Sequence, residues 1–87
     1  MPLGETLRAL SDPNRRKVLE VLKEGDMSVG EILRHLDITG ASLSHHLNTL
    51  KQADLVSSRR DGQQIIYSLN LSVFEEVVSE LSNFIKH

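Results

Sequence analysis

The sequence predicts a mainly α fold with a β-hairpin wing, in the α-α-α-α-β-β-α order of a winged helix-turn-helix, and three features of its 87 residues carry that prediction. Two amphipathic stripes meet across only Asp37-Ile38-Thr39. Alternating β-branched residues then flank Asp61-Gly62, a pair favoured in tight hairpin turns because both central positions need positive φ. A closing stripe of Val73, Phe74, Val77, Val78, Leu81, Phe84 and Ile85 repeats at helical spacing.

Each element has a local cause. Leu3, Leu7 and Leu10 recur with helical spacing up to Ser11-Asp12-Pro13, where the proline ends one helix and opens the next, with Asp12 as N-cap. Val18, Leu19, Val21 and Leu22 give the second helix its apolar face, and Gly25 stops it. Ser28 and Glu31 are spaced as a capping box ahead of Val29, Ile32, Leu33 and Leu36 at i, i+3, i+4 and i+7. Thr39 caps a fourth helix that runs to about Ala53, so the helix-turn-helix covers about 28–53. Strands Leu55–Arg60 and Gln63–Leu69 make a two-stranded wing over about 55–70. Terminal helices over about 3–11 and 72–86, the second opened by another Ser72/Glu75 capping box, complete one domain over residues 1–87.

Composition excludes several functions. With 39% apolar but 3% aromatic residues and no tryptophan, the core must be Leu, Ile and Val, and so small a domain gains from pairing with a second copy. Absence of cysteine removes disulfides, thiol redox sensing and thiolate metal sites. No apolar run approaches the roughly 18 residues needed to cross a bilayer, and no leader-like start is present, so a soluble cytoplasmic protein without membrane insertion is expected. There is no glycine-rich phosphate loop, nucleophile elbow or metal-protease histidine pair, and Ser44 and His45 diverge as successive helical residues. No enzyme is expected. The net charge is −2, with the acidic excess after Ser72 and residues 1–71 in balance, so a polyanion would have to meet local basic clusters.

The fourth helix offers such a partner a neutral polar side. At about 100° per residue, Leu43, Leu47 and Leu50 fix the buried side, His46 borders it, and Ala41, Ser44, His45, Asn48 and Gln52 face away. No carboxylate occurs between Thr39 and Ala53, which suits the floor of a DNA major groove, where serine, asparagine and histidine can hydrogen-bond base edges. Adjacent His45 and His46 point about 100° apart and cannot readily chelate one ion. On the wing, Arg59, Arg60, Gln63 and Gln64 read either as a solvated hairpin tip or as contacts to phosphate and minor groove. Arg15, Arg16 and Lys17 likewise read as a phosphate-binding cluster or as a solvated face. The last helix has an apolar face wider than a hairpin needs, which reads as core closure or as a dimer seam of Leu3, Leu7, Val77, Val78, Leu81 and Phe84, completed by Leu10 of the first helix; one helix can serve both. A two-fold dimer would read an inverted repeat in double-stranded DNA. The alternative is a winged-helix module that binds protein and no DNA, which the acidic balance favours.

Two segments carry a family resemblance. Ser11-Asp12-Pro13-Asn14-Arg15-Arg16 with Val18-Leu19, and Ser42-Leu43-Ser44-His45-His46-Leu47 with Leu50-Lys51 and Leu55-Val56, resemble the ArsR family of bacterial transcriptional repressors, as does the wing strand ending Tyr67-Ser68-Leu69. The resemblance covers nearly the whole chain and implies a homodimeric repressor that binds an inverted repeat near its own promoter. It also implies DNA contacts from Gly40, Ala41, Ser44 and His45, with Gly40 and Ala41 standing where polar residues are commoner. Metal-responsive members place paired cysteines where this chain has Met27, Ser28 and Val29, and nothing gives Glu75, Glu76 and His87 a matching ligand motif. The chain therefore looks most like the short, cysteine-free autorepressor branch, with no metal or cofactor and with release by a protein or small-molecule antagonist.

Overall fold

The computed structural model describes residues 3–86. Helix α1 (Leu3–Leu10) and α2 (Pro13–Leu22) meet at a corner set by Asp12, whose carboxylate accepts the backbone N–H groups of Asn14 at 2.8 Å and Arg15 at 3.2 Å. These are donors that the first turn of α2 would otherwise leave unpaired. Val18, Leu19, Val21 and Leu22 of α2 enter the core as their spacing predicts. The leucines of α1 do so only in part: the helix buries Thr6 and Ala9, Leu10 packs half-buried against the core, and Leu7 stays 43% exposed. Small residues let the α1 backbone come close to the protomer and leave part of its leucine stripe outside.

The sheet has one more strand than the pattern predicts. β1 (Met27–Ser28) pairs antiparallel with β3 (Gln64–Leu69), which pairs on its other side with β2 (Val56–Asp61), giving the order β1-β3-β2. Two residues are too few for alternation to show, so only the finished sheet reveals β1. Asp61 pairs with Gln64, which makes Gly62-Gln63 the turn rather than Asp61-Gly62. Gly62 has φ +66° and Gln63 has no positive φ, the glycine-first pattern of a type II′ turn.

Helix α3 (Val29–Leu33) is shorter than its apolar stripe. Its capping box forms as spaced, with the Ser28 hydroxyl accepting the Glu31 N–H and the Glu31 carboxylate accepting the Ser28 N–H. Leu36 and Ile38 lie beyond its end yet still pack on the core, so the connection to α4 (Gly40–Gln52) is longer than three residues. Leu43, Leu47 and Leu50 of α4, each 1% exposed or less, form the centre of the core with Val18, Ile32, Leu55 and Val56. Each such side chain contributes about 1.5–3 kcal/mol by leaving water.

Helix α5 (Leu71–Lys86) begins one residue earlier than its predicted capping box, with the Asn70 carbonyl accepting from Val73 and Phe74. Its apolar face has two fates. Up to Val77 the face is held, with Val73 and Phe74 packed on the core and Val77 buried; from Val78 onward Val78, Leu81, Phe84 and Ile85 lie open, Phe84 by 73%. No helix among the described residues is long and apolar enough to cross a membrane.

Candidate nucleic-acid interface

Thr39 positions α4 by accepting the Ser42 N–H at 3.1 Å, and the helix then turns its two sides apart. Gly40, Ala41, Ser44, His45, Asn48, Lys51 and Gln52 are exposed, whereas Leu43, His46, Leu47 and Leu50 are buried. The exposed side forms one ridge of small, neutral and basic groups with no carboxylate. Around Gly40 there is open space where a side chain would stand, so close packing does not require the glycine.

The basic clusters differ in their partners. Arg15 donates from Nε to the Ala9 carbonyl at 2.7 Å and from Nη2 to the Arg8 carbonyl at 3.1 Å, and Arg16 donates to the Leu10 carbonyl at 2.8 Å. Both arginines cap the C-terminal end of α1, where carbonyl groups are unpaired and the helix dipole is negative. This structural work answers why cations stand at the start of α2, leaving Lys17 as the solvated member of the trio.

On the wing, strand alternation sends the two arginines to opposite faces. Arg60 shares the helix-side face with Val56 and sits beside the hairpin tip with Gln63. Arg59 lies on the outer face, where its guanidinium is 2.9 Å from the Asp26 carboxylate and 3.2 Å from the Ser68 hydroxyl. The Arg59 hydrogen bond, helped by the Ser68 hydroxyl, holds the Asp26 carboxyl below the usual carboxylate range. Arg59 is thus engaged within the protein, and Asp26 is the residue that sequence reasoning missed, since nothing in its neighbourhood has a repeating pattern.

Of the proposed seam residues, Leu7, Val78, Leu81 and Phe84 are exposed and Leu3 is half-buried, while Val77 is buried within the protomer. At the start of α3, Ser28 is spent on the capping box, and its hydrogen bonds to Glu31 hold that carboxyl below its ordinary range. Among the described residues, no three His, Asp or Glu side chains are grouped to hold a metal ion; His87 lies outside them.

Known proteins match this arrangement along the chain. The family model "Bacterial regulatory protein, arsR family" matches residues 12–58, from the α2 cap into the wing. The chain is 48% identical over 83 residues to the transcriptional repressor SdpR of Bacillus subtilis, covering 95% of this chain and 92% of that one. It is 31% identical to the arsenical resistance operon repressor of Staphylococcus aureus, over 92% of this chain and 77% of the relative. Among solved structures, an ArsR-like transcriptional regulator from Rhodococcus superposes with a TM-score of 0.87 at 27% identity, covering 94% of this chain and 77% of that one. NolR from Sinorhizobium fredii gives 0.75 at 34% identity, over 93% and 81%.

Proposed function

Because the chain belongs to the arsR family of bacterial regulatory proteins, we propose that it is a sequence-specific transcriptional repressor. In this reading two copies pair through α1 and α5 and present two α4 helices to an inverted-repeat operator. The observation that carries it is the carboxylate-free ridge of Ser44, His45 and Asn48 on α4. Base edges in the major groove present donors and acceptors that such side chains pair with, while a carboxylate there would be repelled by the backbone phosphates. Arg60 and Gln63 at the wing tip add contacts to the backbone or the adjacent minor groove. Two-fold pairing sets the α4 helices about 34–36 Å apart, one turn of DNA. Two relatives support the repressor role, since SdpR and the arsenical operon protein are both named as repressors. Regulation is independent of metal and occurs in the cytoplasm, and release follows from a protein or small-molecule antagonist.

The deciding experiment titrates the purified protein on its own upstream DNA and on scrambled DNA, across a salt series, with and without chelator. Tight, salt-steep and selective binding that chelator leaves intact is expected. Equal, weak binding to both DNAs would favour the protein-interaction module, which the net charge of −2 fits better.

A further inference from the structure

One guanidinium joins three helices. Besides capping α1 through the carbonyls of Arg8 and Ala9, Arg15 places Nη1 3.4 Å from Nδ1 of His46 on α4. Its own backbone N–H is fixed by Asp12 at 3.2 Å. A guanidinium has only donors, so in this contact Nδ1 of His46 stands as the acceptor. His46 is 7% exposed and is the one polar residue among the four that α4 buries. A leucine there would complete an all-leucine stripe with Leu43, Leu47 and Leu50, so burial alone does not explain a histidine. Buried polar groups cost stability unless partnered, and here the partner comes from the α1–α2 corner.

We propose that the Arg15–His46 contact is a positioning device for DNA recognition, which rests on the DNA-reading function above. The leucine stripe sets which side of α4 is buried, but dispersion and burial are non-directional and define the rotation less sharply than a hydrogen bond does. A hydrogen bond is directional, and this one acts on α4 at the residue following His45. It sets the rotation of the exposed ridge against the corner, so Ser44 and His45 meet base edges at a constant angle. Neither Arg15 nor His46 touches DNA in this scheme: the guanidinium is turned to α1 and the imidazole is buried. The two sequence segments that most resemble the family, around Asp12-Pro13-Asn14-Arg15 and around His45-His46, are thereby joined by one contact.

The test begins with selection of duplexes from a randomised library by the wild-type protein. A selected and a scrambled duplex are then titrated with His46→Leu, His46→Asn, Arg15→Lys and the Leu/Lys double variant, with thermal midpoints alongside. Leucine keeps the volume without an acceptor; asparagine puts an amide oxygen near the position of Nδ1. The Leu and Lys variants should unfold cooperatively and bind scrambled DNA as wild type does, yet lose about tenfold of the selected-over-scrambled ratio, the discrimination of one base contact. Asparagine should restore it, and the double variant should lose no more than either single one. A leucine variant with the full ratio, an asparagine variant as poor as leucine, or a loss that only tracks the thermal midpoint would overturn the proposal. If His46→Leu does not fold, His46→Met, which fills the site without the imidazole acceptor and leaves the Arg15 caps on α1 in place, carries the same comparison. A wild-type protein that selects no sequence would instead overturn the DNA reading, and the positioning role with it.

Discussion

Residues adjacent in the chain do unlike things here wherever a strand or helix turns them apart. Ser44 and His45 face solvent on α4 while His46 is buried, and Arg60 is free of the ion pair that holds Arg59 to Asp26. Ser44→Ala or His45→Ala should therefore relax preference at one base step by about 1–3 kcal/mol, measured by titrating single-base operator variants. Arg60→Ala should weaken all sequences alike and lower the slope of log affinity against log salt by about 1. Acid should act through caps. Burial pulls the Asp12 carboxyl upward, but the N–H bonds from Arg15 and Asn14, together with the nearby His46 and Arg15 side chains, outweigh it and hold the group below its usual range. A carboxyl depressed in the folded state adds stability above its unfolded value and loses it as pH falls through the folded one. The urea midpoint should thus drop below about pH 4, and Asp12→Asn, which keeps a capping oxygen but cannot titrate, should narrow the gap between midpoints at pH 7 and pH 3.

At the scale of elements, the end of α4 holds a local conflict. Asp54 has φ 59°, its N–H donates to Lys51 and the Leu55 N–H donates to Leu50, the double bond of a Schellman stop with aspartate where glycine is favoured. The Asn70 side chain secures this turn by donating to the Asp54 carbonyl at 2.8 Å. Asp54→Gly should stabilise the fold by about 0.5–1 kcal/mol in urea unfolding, by removing the left-handed strain and a carboxylate from a negative helix end. Helices with caps and long stripes were legible in the sequence: Asp12-Pro13, Ser28 with Glu31, and Thr39 all act where they stand. What was not legible depends on distant partners. β1 exists because β3 is beside it, the turn moved to Gly62-Gln63 because strand register decided it, and the arginines of α2 found their role in carbonyls six or seven residues back. In the candidate site, helical phase foretold which side of α4 is exposed, but no periodicity pairs Arg59 with Asp26 or Arg15 with His46.

For the molecule as a whole, the longest dimension of 47 Å against 23 and 20 Å describes an elongated shape rather than a compact ball. Leu7, Val78, Leu81 and Phe84 remain exposed apolar groups, and a second copy is the occupant proposed for them. Phe84→Asp should shift sedimentation from dimer to monomer and weaken operator binding, while the thermal transition of the Leu43–Leu47–Leu50 core persists. The unequal halves of α5 carry one more consequence. Its first turns are held by the protomer and its last turns are not; in the proposed pair those last turns gain their apolar contacts from the second copy, so amide protection there should rise with protein concentration while that of α4 does not. A chain too dilute to pair would show frayed, apolar turns to cellular proteases, and the lifetime of each copy would then depend on how many others are present.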